Sequence, residues 1–313
     1  MPRRPNFFIL GAPKCGTTAL SEYLRRHPQV FMSSPKEPHY FCDDFDYYYA
    51  PGRRSLDHYL HLYDGAGPEH LAVGEASVWY LYSQTAAANI AAFDPGARAI
   101  VMLRNPVEMV PSLHSQLLYT VDEDERDPAR AWALQEARAR GDRLPAGVRV
   151  PAFLQYGPAA SYAAQIERVM AVFPPERLLV ILFDDFRADT AGTYRRTLEF
   201  LGVPDDGRTD FPRINPNTVH RAPAVARLTQ RPPRIALAAA RALKRLTRRE
   251  RLGVLQRVRT RNRVEAERTA VDPEFRASLA RYFHDDVLRL SALLGRDLTD
   301  WTAERGGTLD ADL

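Results

Sequence analysis

Residues Phe7–Leu20 read FFILGAPKCGTTAL, and their order decides the fold. The apolar run Phe7–Leu10 has the length and composition of a buried strand. Gly11 and Gly16 bound a tight loop, and Thr17 opens a helix. A strand, a Gly-bounded loop and a helix N-terminus in that order make an anion cradle, with backbone N–H groups and the helix dipole facing a phosphate. The nucleotide version of such a loop reads G-x-x-x-x-G-K-[ST], with Lys directly after the second Gly. Gly11 and Gly16 keep that spacing, but Thr17 stands in the Lys position and the lysine lies inside the loop, at Lys14. The expected ligand is phosphate-like, in a site built differently from that of an ATPase.

Outward from this stretch, strand and helix patterns alternate, which predicts an α/β fold with a mainly parallel sheet. Further strands are expected at Leu71–Gly74, Ala99–Leu103 and Leu178–Phe183. Helices are expected at Thr17–Arg26, Thr85–Phe93, Pro106–Tyr119, Pro158–Phe173 and Asp189–Leu201. A last helix, capped by Asp272 with Pro273 in its first position, runs to Leu294. The expected fold class is therefore a P-loop-like central parallel sheet flanked by helices, with an Arg-rich helical C-terminal portion. All 313 residues are read as one domain, carrying a helical Arg-rich insertion or subdomain at about 221–268. The acidic stretch Val121–Arg130 reads as a solvated loop or a helix entry.

Composition narrows the ligand. Of 43 Lys+Arg residues only Lys14, Lys36 and Lys244 are lysines. Two of the three fall in the first 36 residues, one inside the cradle, and an ammonium is not interchangeable with a guanidinium. The net charge of +4 suits anionic ligands without indicating nucleic acid. Two cysteines give neither a disulfide framework nor a zinc quartet, so a cytoplasmic location is expected and no metal is called for. Cys15 reads as a small buried filler of the loop.

Three blocks resemble the sulfotransferases that use 3′-phosphoadenosine-5′-phosphosulfate (PAPS). They are GAPKCGTTAL, IVMLRNPVEMVPSLHS (Ile100–Ser115) and SPKEPHYF (Ser34–Phe41), the last similar to bacterial and carbohydrate-directed members. The first block resembles the 5′-phosphosulfate loop. This implies that Lys14, Cys15, Gly16, Thr17 and Thr18 hold the 5′-phosphate, with Lys14 beside the oxygen that bridges phosphate and sulfate. The second resembles the 3′-phosphate segment, which implies Arg104 and Ser112 as ligands. Arg221, in INPNTVHRAP (Ile214–Pro223), would add a further contact from a loop over the nucleotide.

A base must take the acceptor's proton. Glu75, in LAVGEASVWY, resembles the glutamate base of carbohydrate sulfotransferases, and His39 in KEPHYF is the alternative. Lys36 is placed against the sulfuryl oxygens or the acceptor. Tyr162 is expected near the cofactor or in the core. The aromatics of Phe41–Tyr49 and the pair Trp79-Tyr80 either line the acceptor site or pack. The implied reaction is sulfuryl transfer from PAPS to a hydroxyl or amine of a small-molecule, carbohydrate or lipid acceptor. The Arg-rich helices read either as a solvated helical subdomain or as a surface that meets the inner face of a membrane or an anionic polymer. Two other readings stay open: a P-loop kinase or NTPase, with Asp184-Asp185 for Mg²⁺, and a non-catalytic anion- or membrane-binding protein.

Overall fold

The computed structural model describes residues 3–45, 55–214, 218–220, 263–265 and 271–303. Five parallel strands form the sheet: β1 (Phe7–Gly11), β2 (Val30–Met32), β3 (Ala72–Ala76), β4 (Arg98–Leu103) and β5 (Leu178–Leu182), in the order β2-β3-β1-β4-β5. Every residue of β1 is buried, as expected of a central strand covered on both faces. β1–β3 are joined through α1 (Thr17–Arg25) and α2 (Leu56–Leu60). α3 (Ala86–Phe93) leads into β4, and α4 (Pro106–Thr120) follows it. Because the strand order reverses at β1, the loops leaving β1 and β4 diverge at the carboxyl edge of the sheet. That crevice is where open α/β sheets bind ligands.

The chain divides into two compact units. The first contains residues 1–113, 155–214 and 271–313, and so holds the whole sheet. The last helix, Pro273–Leu294, buries Phe275, Leu279, Phe283, Val287 and Leu290, and Asp272 accepts the Phe275 N–H at 3.2 Å as its cap. The second unit contains 114–154 and 215–270.

Several expectations change. The stretch Pro158–Phe173 is two helices, Tyr156–Ala160 and Ala163–Met170. The carboxylate of Asp286, on the last helix, accepts the N–H groups of Tyr162 at 2.7 Å and Ala163 at 3.2 Å, which starts a new helix there. β2 was not anticipated, since three residues after His27-Pro28 carry too little pattern. In the Arg-rich segment, Arg263–Glu265 is a strand paired antiparallel with Thr218–His220 rather than helix. Residues 221–262 and 266–268 lie outside the described residues, and Arg221 with them.

The acidic stretch is not solvated throughout. Asp122 and Glu123 are both buried. Glu123 takes both Arg138 nitrogens, at 2.6 and 2.7 Å, and the two side chains are 0% and 1% exposed. Asp122 takes Arg149 at 2.5 Å. A charge run reads as solvated because solvation is its default; here arginines 15 and 27 residues onward supply the countercharge. Removing one partner of such a buried pair strands the other charge, at a cost of about 3–5 kcal/mol. Arg138→Ala should therefore destabilise the protein strongly in urea unfolding, and Glu123→Leu combined with Arg138→Met should recover most of the loss.

Candidate active site

The cradle forms as its sequence implies. β1 ends at Gly11, where an added Cβ would lie 2.4 Å from the Val78 carbonyl oxygen, so only glycine lets the Glu75–Leu81 segment run alongside. That segment is fastened to β1 by Ser77 N–H to the Ile9 carbonyl (3.0 Å) and Leu81 N–H to the Leu10 carbonyl (2.8 Å). Beyond it, left-handed residues at Lys14 (φ 64°) and Gly16 (φ 89°) alternate with Cys15, a backbone pattern that turns N–H groups into a concavity. Gly16 is the N-cap of α1 and no side chain caps that terminus, so its first N–H groups lack the usual side-chain acceptor. Thr17 is buried and Thr18 half-buried beside them.

Arg104 follows β4 on the same edge. Its Nε and Nη2 donate to one oxygen of Glu108, at 3.2 and 2.7 Å, and its guanidinium lies 4.8 Å from the centre of the Phe183 ring. The Phe183 ring also closes on Gly16, at 3.0 Å from where a Cβ would stand. Phe183 thus links the strand-end cation to the loop, and both Arg104 and Lys14 favour the charged form of the Cys15 thiol. Burial dominates that thiol, however, and pushes it up to about 12. Cys15 is thus an inert filler, packed 4.0 Å from the hydroxyl of a fully buried Tyr162, which supports the loop from the core. α4, unlike α1, is capped from within: Asn105 Oδ1 accepts the Val107 N–H at 2.9 Å. Ser112 is buried on α4, two turns beyond Arg104.

Glu75 lies within β3 rather than after it, level with Phe8 of β1. Its carboxylate is fully buried. Tyr59 donates to Oε1 at 2.7 Å, Tyr80 to the same oxygen at 3.0 Å, and Ser77 to Oε2 at 2.6 Å. Tyr63 in turn donates to the Tyr59 hydroxyl at 2.9 Å. Burial lifts Glu75 from an ordinary 4.5 to about 7, against the pull of the three hydroxyls and of Lys36. Tyr59, Tyr63 and Ser77 were not anticipated. The Tyr59–Tyr63 spacing of four in LDHYLHLY was the available signal, since it puts both rings on one helical face. Trp79 is buried, and the buried Tyr80 turns its hydroxyl to Glu75.

The Ser34–Phe41 loop closes over this carboxylate's neighbours. Lys36 Nζ sits 2.7 Å from Glu37 Oε1, and the buried His39 ring has Nε2 3.6 Å from Glu37 Oε2. Burial raises Glu37, but the Lys36 ammonium and His39 more than offset it and hold the carboxyl well below the usual range. The loop is tied to β3 by Glu37 N–H to the Ala76 carbonyl (3.2 Å) and His39 N–H to Ser77 Oγ (3.1 Å). Two groups of expected residues are thus assembled, Lys14–Thr18 with Arg104, and Glu75 with Lys36 and His39. Asp184 and Asp185 open the helix Phe183–Ala188 instead of ending a strand, and Asp185 is ion-paired with Arg296. Among the described residues no cluster of His, Cys, Asp or Glu has the arrangement of a metal site.

A family model described as the sulfotransferase domain matches residues 4–211. Human carbohydrate sulfotransferase 15 is 29% identical over 251 residues, covering 64% of this chain and 44% of that protein. Human bifunctional heparan sulfate N-deacetylase/N-sulfotransferase 3 is 30% identical over 209 residues, covering 64% of this chain and 22% of that protein. The chain thus spans less than half the length of these two relatives. A crystal structure of a sulfotransferase from Alicyclobacillus acidocaldarius superposes with a TM-score of 0.70 at 29% identity, covering 96% of this chain and 100% of that one.

The raised Glu75 carboxyl has a thermodynamic signature. A proton held more tightly when folded stabilises the fold fully below the unfolded value of 4.5, and the benefit is lost as pH rises through about 7. Unfolding free energies of wild type and Glu75→Gln should therefore converge or cross in the Gln variant's favour between those values. Parallel pH profiles would show that Glu75 titrates normally.

Proposed function

The chain belongs to the sulfotransferase family, and from that premise we propose that it transfers a sulfuryl group from PAPS to a hydroxyl or amine of a carbohydrate or glycolipid. The observation that carries this reading is the pairing at one sheet edge of an uncapped, lysine-bearing anion cradle with a buried, hydroxyl-held carboxylate. The donor's two phosphate positions fit the residues present. The α1 N-terminus, with the Thr17 and Thr18 hydroxyls, suits the 5′-phosphate. Arg104, with Ser112 on the next helix, suits the 3′-phosphate dianion, and Glu108 occupies that guanidinium in the present structure.

When bound, PAPS supplies the sulfuryl group and a phosphate leaving group. Lys14 stabilises the negative charge that accumulates on the leaving oxygen, a preplaced cation acting in a partly desolvated site. Glu75 takes the acceptor's proton. A carboxyl lifted to about 7 is matched to that task near neutral pH. Its closed position requires the acceptor, or the Lys36 loop, to open a path to it. Lys36, the half-buried cation next to that path, would serve the sulfuryl oxygens or the acceptor. His39 is the less suitable base, since it leans on Glu37 and its backbone serves Ser77. The carbohydrate acceptor is supported by the names of the relatives, one a carbohydrate and one a heparan sulfate sulfotransferase.

The same proposal treats residues 1–313 as one functional domain, in the cytoplasm, with the Arg-rich segment touching the inner face of a membrane. Among the described residues no helix is long and apolar enough to cross one. A kinase reading is disfavoured by Thr17 in the place of the P-loop lysine and by the Asp185–Arg296 ion pair.

Calorimetry should find that the desulfated product PAP binds in EDTA and that Mg-ATP binds much more weakly; the reverse order would refute the donor assignment. With ³⁵S-labelled PAPS and a glycan panel that includes de-N-sulfated heparan sulfate, Lys14→Ala should lose about 10²–10³-fold in transfer rate while PAP still binds. An unaltered rate would remove Lys14 from its role.

A further inference from the structure

The three hydroxyls around Glu75 are committed in direction. Each accepts one hydrogen bond from elsewhere: Tyr59 from Tyr63 O–H (2.9 Å), Tyr80 from Phe41 N–H (3.3 Å) and Ser77 from His39 N–H (3.1 Å). Each then gives its own hydrogen to Glu75. A carboxylate oxygen accepts about two hydrogen bonds. Oε1, with Tyr59 and Tyr80, is filled. Oε2, with Ser77 as its donor among the described residues, keeps one lone pair.

We infer that Glu75 is a one-sided base, in which Tyr59 and Tyr80 are positioning residues that lock Oε1 and leave Oε2 to receive the acceptor's proton. This rests on the reading of Glu75 as the base. In the step itself the acceptor O–H or N–H bond breaks and its proton goes to Oε2. The acceptor atom bonds to sulfur as the bond from sulfur to the bridging oxygen breaks, and PAP leaves with that electron pair. Ser77 can keep donating to a protonated Oε2, which still has a lone pair.

The tyrosines also answer a problem of burial. Without donors, a carboxyl closed off from water would stay protonated at neutral pH and could not act as a base. Tyr59 is held well above the ordinary phenol range, first by burial and then by the Glu75 charge, so it remains a donor. Its ring is clamped, stacked on Tyr40 at 4.3 Å with Phe41 and Phe93 against its edges. The Tyr63 hydroxyl polarises the Tyr59 O–H and strengthens it as a donor. Of the other groups, Lys36 on the loop acts on Glu75 and is itself paired with Glu37, which also faces His39; Tyr63 lies behind Tyr59, and apolar Phe8 is across on β1.

Infrared titration of the protonated-carboxyl C=O band tests this without an acceptor; the band is assigned by its loss in Glu75→Gln. Tyr59→Phe should raise the midpoint by about one pH unit, the worth of one hydrogen bond to a charge, and Tyr80→Phe should raise it too. Tyr63→Phe leaves both donors in place and should raise it less; this variant decides the matter if Tyr59→Phe does not fold. Midpoints unmoved or lowered in folded variants would overturn the inference. That failure is distinct from failure of the base reading, which would show as Glu75→Gln transferring label from PAPS at the wild-type rate whatever the tyrosine variants do.

Discussion

A carboxylate sealed from water and held by three hydroxyl donors is the constraint on which the site depends. The donors come from two places in the chain: Tyr59 from α2, and Ser77 and Tyr80 from the segment after β3. Through their acceptor sides these hydroxyls also bind the Ser34–Phe41 loop, by way of His39 and Phe41. One ionisable group therefore organises the end of β3, the α2 turn and the lysine-bearing loop. Burial and hydroxyl donation pull its proton affinity in opposite directions, and burial wins by an amount that leaves the group near neutrality. Buried hydroxyl donors of this kind fix the geometry of the carboxyl they hold.

The loop after β1 uses the contrasting device. α4 is satisfied by its own Asn105, whereas α1 begins at a left-handed glycine with no side-chain cap. An anion at α1 completes a helix that is otherwise short of acceptors. Arg104, just past β4, already holds a carboxylate, that of Glu108, and rests on Phe183, which also walls Gly16. Left-handed Lys14 and Gly16 thus shape the loop that leaves β1, and the strand order that reverses there opens the crevice in which that loop sits.

Much of this was legible in the sequence, for physical reasons. Phe7–Leu10 reads as a strand because a strand buried on both faces must be apolar throughout, and Gly11 and Gly16 mark conformations other residues avoid. Glu75 and Arg104 stand out in the sequence because each adjoins such a run. What was hidden depends on distant partners. Tyr59 reaches Glu75 across 16 residues, with only its spacing from Tyr63 as a local trace, and Asp286 caps Tyr162 across 124 with none. The same holds for Glu123, whose charge reads as solvated until Arg138 is folded against it. β2 has three residues, too few for any period to register.

The most direct test of sulfuryl transfer through Glu75 is a rapid-quench single turnover. Enzyme saturated with ³⁵S-labelled PAPS is mixed with the best acceptor of the glycan panel. Glu75→Gln is expected to bind PAP as tightly as wild type and to transfer label about 10²–10⁴-fold more slowly. Transfer by Glu75→Gln at the wild-type rate would contradict the assignment of this carboxylate as the base.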